Sequence, residues 1–155
     1  LSDEAVEKMN EIIWALNRGN QQLDELIYYT RSQCSEMLSN AGIAFSFELP
    51  ENIPAKTIGW KDCRNLYLLI KETVNNAIKH AGATTIIIEF SITNKLAVSI
   101  TDNGKGFDKD IIPKSGNGLA NYKKRVSKLN AGYQLITSPG NGTKLLFTIP
   151  IDTVL

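Results

Sequence analysis

Apolar residues recur every three or four positions along residues 3–40, a pattern that predicts helix at the start of the chain. The pattern is interrupted at residues 17–20, "NRGN", where Gly19 and two asparagines predict a break or hinge. We therefore expect one helix that ends near Leu16 and a second that begins near Gln21. Two interpretations stay open: both helices pack on a core, or the first belongs to a helical dimer interface.

Beyond the helices, segments that alternate apolar and polar residues are separated by further helical segments. The predicted order is strand, helix, strand, strand, helix, strand, strand, at residues 43–49, 61–80, 84–93, 95–101, 119–130, 133–137 and 143–151. Gly132 is expected to cap the last helix. Helices packed on one face of a mostly antiparallel sheet satisfy this order, which predicts an α+β fold.

Composition narrows the class of protein. A chain of 155 residues, 43% of them hydrophobic, has the length of one compact domain. The formal net charge of +1 gives no reason to expect a nucleic-acid groove or contact with an anionic membrane. Cys34 and Cys63 lack metal-ligand spacing and are expected to be small buried side chains in a reduced, intracellular protein. No apolar run is long enough to span a bilayer, and the absence of an initial methionine is expected of a piece of a longer chain.

The predicted helix 61–80 has a polar face near its end. At 100° per residue, Glu72, Asn76, Lys79 and His80 cluster on one side, and the other side is apolar. Asn76 offers a neutral oxygen suited to a hard cation, and Lys79 and His80 can bind phosphate. For this cluster alone, a solvated helix face is the simpler interpretation.

The stretch "TDNGKGFD" at residues 101–108 follows a predicted strand. Asp102 continues the alternation of that strand, so a carboxylate falls where an apolar residue is expected and needs a donor. The exocyclic amino group of adenine is such a donor, whereas guanine presents a carbonyl there. Gly104 and Gly106 allow a sharp turn and a close approach to a ligand. An ordinary turn after a strand explains this stretch alone equally well.

In "SGNGLANYKKR", residues 115–125, Gly116 and Gly118 precede a predicted helix. Exposed amides and the helix dipole at such a position favour an anion, for example the phosphates of a nucleotide. A flexible loop before a helix is the alternative interpretation for this stretch alone.

Together, the motifs E-x-x-x-N-x-x-K-H, D-x-G-x-G and G-x-G-L, with "GNGTKLLFTIP" at the end, resemble the GHKL superfamily of ATPases over about residues 43–151. Within it, "NNAIKHAGA" and "GLANYKKRV" look like sensor histidine kinases of the nitrate-sensor and desaturase-sensor type. The resemblance implies a two-layer α/β sandwich with a mixed, mostly antiparallel sheet, preceded by an N-terminal helical segment. It makes residues 1–20 the end of a dimerisation helix and its linker, and residues 21–155 the ATP-binding domain.

The resemblance also implies roles for single residues. Asn76 would ligate Mg²⁺ that bridges the phosphates of ATP, and Glu72 would orient or polarise the attacking group. Asp102 would hold adenine. The other residues expected to bind or enclose the nucleotide are Lys79, His80, Gly104, Gly106, Gly116, Gly118, Leu119 and Thr143.

A kinase of this kind transfers the γ-phosphoryl group of Mg-ATP to a histidine on its dimerisation bundle and passes it to a response regulator. The resemblance therefore implies a cytoplasmic domain of a homodimeric parent, whether or not that parent is membrane-anchored. The only histidine here, His80, lies within the predicted ATP site, so the acceptor is expected outside this chain. Two alternatives stay open: another GHKL ATPase or serine kinase, or a degenerate interaction module without catalysis.

Overall fold

A sheet of five strands forms one layer of the molecule, and the helices form the other. The computed structural model describes residues 2–108 and 117–151. The helices are α1 (Asp3–Asn17), α2 (Leu23–Asn40), α3 (Trp60–Asn76), a π-helical turn (Ala77–Ala81) and α4 (Asn117–Lys128). The strands are β1 (Gln21–Gln22), β2 (Ala44–Glu48), β3 (Thr57–Ile58), β4 (Thr85–Ile92), β5 (Lys95–Asp102), β6 (Gly132–Thr137) and β7 (Thr143–Pro150).

The strand order β2-β4-β5-β7-β6 makes the sheet mixed. Only the β2–β4 pair of this sheet is parallel, and the other three pairs are antiparallel. Along β4, Ile86 and Ile88 are buried and belong to the same core as α2 and α3, whereas Ile87 and Glu89 are exposed. One face of the sheet therefore carries the helices, as period-two alternation requires. The predicted α+β fold is confirmed.

The break between the first two helices falls where the sequence predicts it. Gly19 takes a φ of 58°, a conformation that strains other residues. The side-chain oxygen of Asn20 accepts a hydrogen bond of 2.9 Å from the backbone N–H of Trp60. The hinge is thus attached to the start of α3. The two-residue strands β1 and β3, which pair with each other beside it, were not predicted.

Two predicted helices end differently from expectation. The helical segment predicted at 61–80 extends to Ala81, but its last five residues form the π-turn instead of continuing the α-helix. The predicted cap Gly132 begins β6 instead. Asn130, with a φ of 52°, caps α4, and the N–H of Ala131 donates to the carbonyl of Val126.

Helix α1 contacts the domain with one side and is exposed on the other. None of its residues is buried, and five large apolar side chains are exposed: Val6, Met9, Ile12, Ile13 and Leu16. On the inner side, the guanidinium of Arg64, on α3, lies 2.9 Å from the Glu7 carboxylate and 3.9 Å from that of Glu11. The ring of Trp14 packs on Tyr29 and Tyr67. A domain boundary near residue 20 stays a prediction.

Both cysteines lie in the core as free thiols. Burial raises the pKa of Cys34 to about 12 and that of Cys63 to about 11, so both thiols are protonated at neutral pH. They pack as small apolar side chains, as expected from the sequence. Of the helices in the described ranges, none has both the length and the apolar character needed to cross a membrane.

We predict that removing the carboxylates that pair with Arg64 destabilises the fold more than replacing Arg64 itself. Its side chain is 7% exposed, so the double variant Glu7→Gln, Glu11→Gln leaves a buried charge without a counterion and should lower the free energy of unfolding by about 1–3 kcal/mol. Arg64→Met removes the charge and keeps most of the packing, and should cost less than about 1 kcal/mol. Urea denaturation measures both. A larger loss for Arg64→Met would contradict the prediction.

Candidate functional site

Glu72 and Asn76 lie one turn apart near the end of α3. The buried residues Ile70, Val74 and Ala77 anchor the opposite face of the helix in the core, so the two polar residues are directed away from it. The Glu72 side chain is 33% exposed, and its Oε2 lies 3.3 Å from Nε of Arg125 on α4. The structure therefore fixes the carboxylate between two helices.

The π-turn carries Lys79 and His80, both exposed. Its wider turn changes the angle between successive side chains, so the 100° wheel of the sequence analysis places them only approximately relative to Glu72. The turn ends at Gly82, which has a φ of 63°. Isolated π-turns occur often at functional sites.

Asp102 ends β5 and is 9% exposed, which agrees with its predicted core-facing position. Its Oδ1 accepts a hydrogen bond of 2.8 Å from the backbone N–H of Gly104. This hydrogen bond engages one of the two carboxylate oxygens. Thr143 is the cross-strand partner of Asp102 on β7, so the two side chains share one face of the sheet.

The loop after Asp102 is packed between the π-turn and the β6–β7 connection. A Cβ on Gly104 would collide with the backbone of Ala81, whose carbonyl accepts a hydrogen bond of 2.8 Å from Lys105 N. A Cβ on Gly106 would collide with the carbonyl of Ser138. These glycines allow close contact between backbones, which joins the D-x-G-x-G loop to the turn that carries Lys79 and His80.

Two residues that the sequence analysis did not single out hold this loop. Asn103 Oδ1 accepts hydrogen bonds of 2.9 Å from the N–H groups of Thr84 and Thr85, which joins the end of β5 to the start of β4. Thr137 Oγ1 accepts a bond from Phe107 N and lies 3.0 Å from Thr143 Oγ1. The preference of asparagine for turns could have indicated the role of Asn103. The role of Thr137 could not be predicted without the pairing of β6 with β7.

The structure thus brings Asp102, Gly104, Gly106 and Thr143 together and joins their loop to the π-turn that follows Glu72 and Asn76. Gly118 and Leu119 lie in the first turn of α4. The predicted contact Gly116 lies outside the described residues. A cavity of about 280 Å³ is separate from this region, because Leu96 and Ile151, among its lining residues, lie at the opposite end of the sheet.

Comparison with known proteins identifies the family. Residues 61–153 match the family described as histidine kinase-, DNA gyrase B- and HSP90-like ATPase. The match covers more than half of the chain, and the chain belongs to this family.

Its relatives include named histidine kinases. The chain is 36% identical over 89 residues to the signal transduction histidine-protein kinase/phosphatase DegS of Brevibacillus brevis, covering 57% of this chain and 23% of DegS. It is 30% identical over 147 residues to the sensor histidine kinase ComP of Bacillus subtilis, covering 81% of this chain and 19% of ComP. The chain therefore spans about a quarter or less of the length of these relatives.

Among solved structures, the histidine kinase domain of the Erythrobacter litoralis EL346 blue-light activated histidine kinase is similar, with a TM-score of 0.69 and 20% identity. The alignment covers 81% of this chain and 60% of that domain. At this identity the likeness supports the fold, and the α+β sandwich is shared.

We predict that the contact between Gly104 and Ala81 tolerates no side chain. In Gly104→Ala the new Cβ meets rigid backbone and should lower the free energy of unfolding by about 1–3 kcal/mol. Gly132→Ala is the matched control, because its Cβ meets no heavy atom within 4 Å and its φ is not positive. The control should change stability by less than about 0.5 kcal/mol in urea denaturation. Equal stability of the two variants would contradict this account of the loop.

Proposed function

We propose that this chain is the ATP-binding catalytic domain of a sensor histidine kinase of the nitrate-sensor and desaturase-sensor type. In this proposal, residues 21–155 bind Mg-ATP and residues 1–20 belong to the dimerisation helix and linker. The γ-phosphoryl group passes to a histidine on the dimerisation bundle and then to a response regulator. The observation that carries the proposal is the buried Asp102 carboxylate at the end of β5, in a chain of this ATPase family.

Asp102 would select adenine. Its Oδ1 already accepts a hydrogen bond from Gly104, so Oδ2 is the atom available for a ligand. The amino group of adenine can donate to it, whereas the carbonyl of guanine would face a second acceptor. Thr143 supports this assignment as the cross-strand partner of Asp102.

The polar end of α3 fits the phosphates and a divalent cation. Among the described residues, no three His, Cys, Asp or Glu side chains converge to form a metal site. Mg²⁺ bound with ATP needs only one or two protein oxygens besides the phosphates, and the side-chain oxygen of Asn76 would be one. The bound ion would neutralise charge on the phosphate oxygens.

The protein residues would then position the reactants. Lys79 and His80 are exposed on the π-turn and can bind phosphate oxygens. The Glu72 carboxylate can accept a hydrogen bond from the attacking group and so orient it. Gly104 and Gly106 would shape the base pocket, and Gly116, Gly118 and Leu119 would enclose the nucleotide. In-line positioning of this kind supplies much of the acceleration in phosphoryl transfer.

The proposal places the domain in a larger homodimeric kinase with its ATP site in the cytoplasm. The greater length of DegS and ComP supports a longer parent protein. The exposed apolar side of α1 supports a role for that helix in a dimer interface, because large apolar side chains are normally covered.

Calorimetry with Mg²⁺ tests the nucleotide site. We expect ATP to bind and GTP to bind at least tenfold more weakly, and Asp102→Asn to weaken ATP binding by about 10- to 100-fold. Asp62→Asn is the control, since Asp62 lies on the same helix as Asn76 but about 20 Å away along its axis. A folded wild-type chain that binds no ATP would favour the interaction module instead.

We also predict that the isolated chain does not phosphorylate itself on histidine. His80 is its only histidine, and in the proposed site it contacts the phosphates instead of lying in line with the γ-phosphorus as an acceptor. After incubation with γ-labelled ATP, both the wild type and His80→Gln should carry no acid-labile phosphate. Label on the wild type that is lost in His80→Gln would overturn this assignment of His80.

A further inference from the structure

Arg125 occupies a position between helices that the phosphoryl-transfer scheme leaves unexplained. It lies on the last turns of α4, and its side chain is only 16% exposed. Its Nε lies 3.3 Å from Oε2 of Glu72, the carboxylate proposed to orient the attacking group. An arginine is always charged and holds a carboxylate in a defined direction better than lysine does.

The contact engages one carboxylate oxygen of Glu72 and leaves the other. The hydrogen bond runs from Arg125 Nε to Oε2, which leaves Oε1 outside this contact. With the carboxylate held at one oxygen, the second can accept a hydrogen bond from a nucleophile without the side chain having to reorient. Preorganisation of this kind lowers the cost of reaching a reactive geometry.

We infer that Arg125 is a positioning residue that holds Glu72 for in-line attack on the γ-phosphorus. The inference rests on the proposed function. With water as acceptor, an oxygen lone pair of the water forms the new P–O bond. The bond to the β,γ-bridging oxygen breaks and its electron pair stays on ADP, while the water proton passes to Glu72 and then to solvent. Arg125 keeps Glu72 oriented through this sequence.

The position of Arg125 on α4 links Glu72 to two other parts of the chain. The first turn of the same helix contains Gly118 and Leu119, which are proposed to enclose the nucleotide. The charge of Arg125 also reaches Glu7 on α1. Burial raises the pKa of Glu7, but its hydrogen bond and ion pair with Arg64, together with the charges of Arg125 and Lys128, outweigh burial and hold that pKa below its usual value. Because Arg125 binds Glu72 directly, a shift of α4 would alter the geometry of Glu72.

Two measurements on the whole chain separate positioning from binding: the ATP dissociation constant by calorimetry, and the rate of γ-phosphate release in a single turnover with protein in excess over ATP. We expect Arg125→Gln to slow release by about 10- to 100-fold and to change the dissociation constant less than about threefold. Arg125→Lys should recover part of the rate. Arg31→Gln, an exposed arginine on α2, is the matched control and should retain the wild-type rate.

A double-mutant cycle excludes a purely structural ion pair. If Arg125 acts through Glu72, the double variant Glu72→Gln, Arg125→Gln should be no slower than Glu72→Gln alone. Additive losses, or a loss of ATP affinity in Arg125→Gln that matches its loss of rate, would overturn the inference. So would a wild-type chain that binds ATP without accelerating phosphate release, which would leave the nucleotide site itself supported. Absence of ATP binding by the wild type would overturn both proposals.

Discussion

The site is built around a carboxylate in a position that strand geometry assigns to the core. Asp102 ends a strand whose Val98 and Ile100 are buried on the same face, and it is 9% exposed. A charge in that position needs polar partners, and the turn to Gly104 supplies one of them. The glycines that follow let the backbone pack directly on the π-turn and on the β6–β7 connection. The loop after Asp102 therefore joins the end of β5 to the π-turn after α3 and to the connection before β7.

Ion pairs between helices connect this site to the rest of the chain. Arg64 holds α1 on α3 through Glu7, and Arg125 holds α4 on α3 through Glu72. Both arginine side chains are more buried than the carboxylates they contact, so each helps to fix the relative position of two helices more firmly than an exposed pair would. Helix α3 receives both contacts, one near each end. It therefore links the segment at the start of the chain to the proposed catalytic carboxylate.

Sequence patterns predicted the features that depend on local periodicity. Alternation along residues 95–101 placed Asp102 on the core side, because the side-chain period of a strand is fixed at two. Gly19 marked the hinge correctly. The features that the sequence analysis missed depart from these regular patterns. The π-turn departs from the period that a helical wheel assumes, and Asn130 took the positive φ that glycine usually takes.

The contacts of the two arginines could not be predicted from the sequence either. In the sequence, Arg64 and Arg125 look like solvent-exposed residues on helices. The packing of α1 and α4 against α3 buries most of each arginine side chain in an ion pair. Strands β1 and β3, of two residues each, are too short to show a pattern. Tertiary contacts between distant segments account for what the sequence analysis did not find.

We propose that Asp102 recognises the amino group of adenine. Comparing ATP with inosine triphosphate in the presence of Mg²⁺ tests it most directly, because inosine carries a carbonyl where adenine carries that group and the sugar and phosphates are unchanged. We expect inosine triphosphate to bind the wild-type chain at least about tenfold more weakly than ATP, since the carbonyl would face the carboxylate. Equal affinity for the two nucleotides would contradict it.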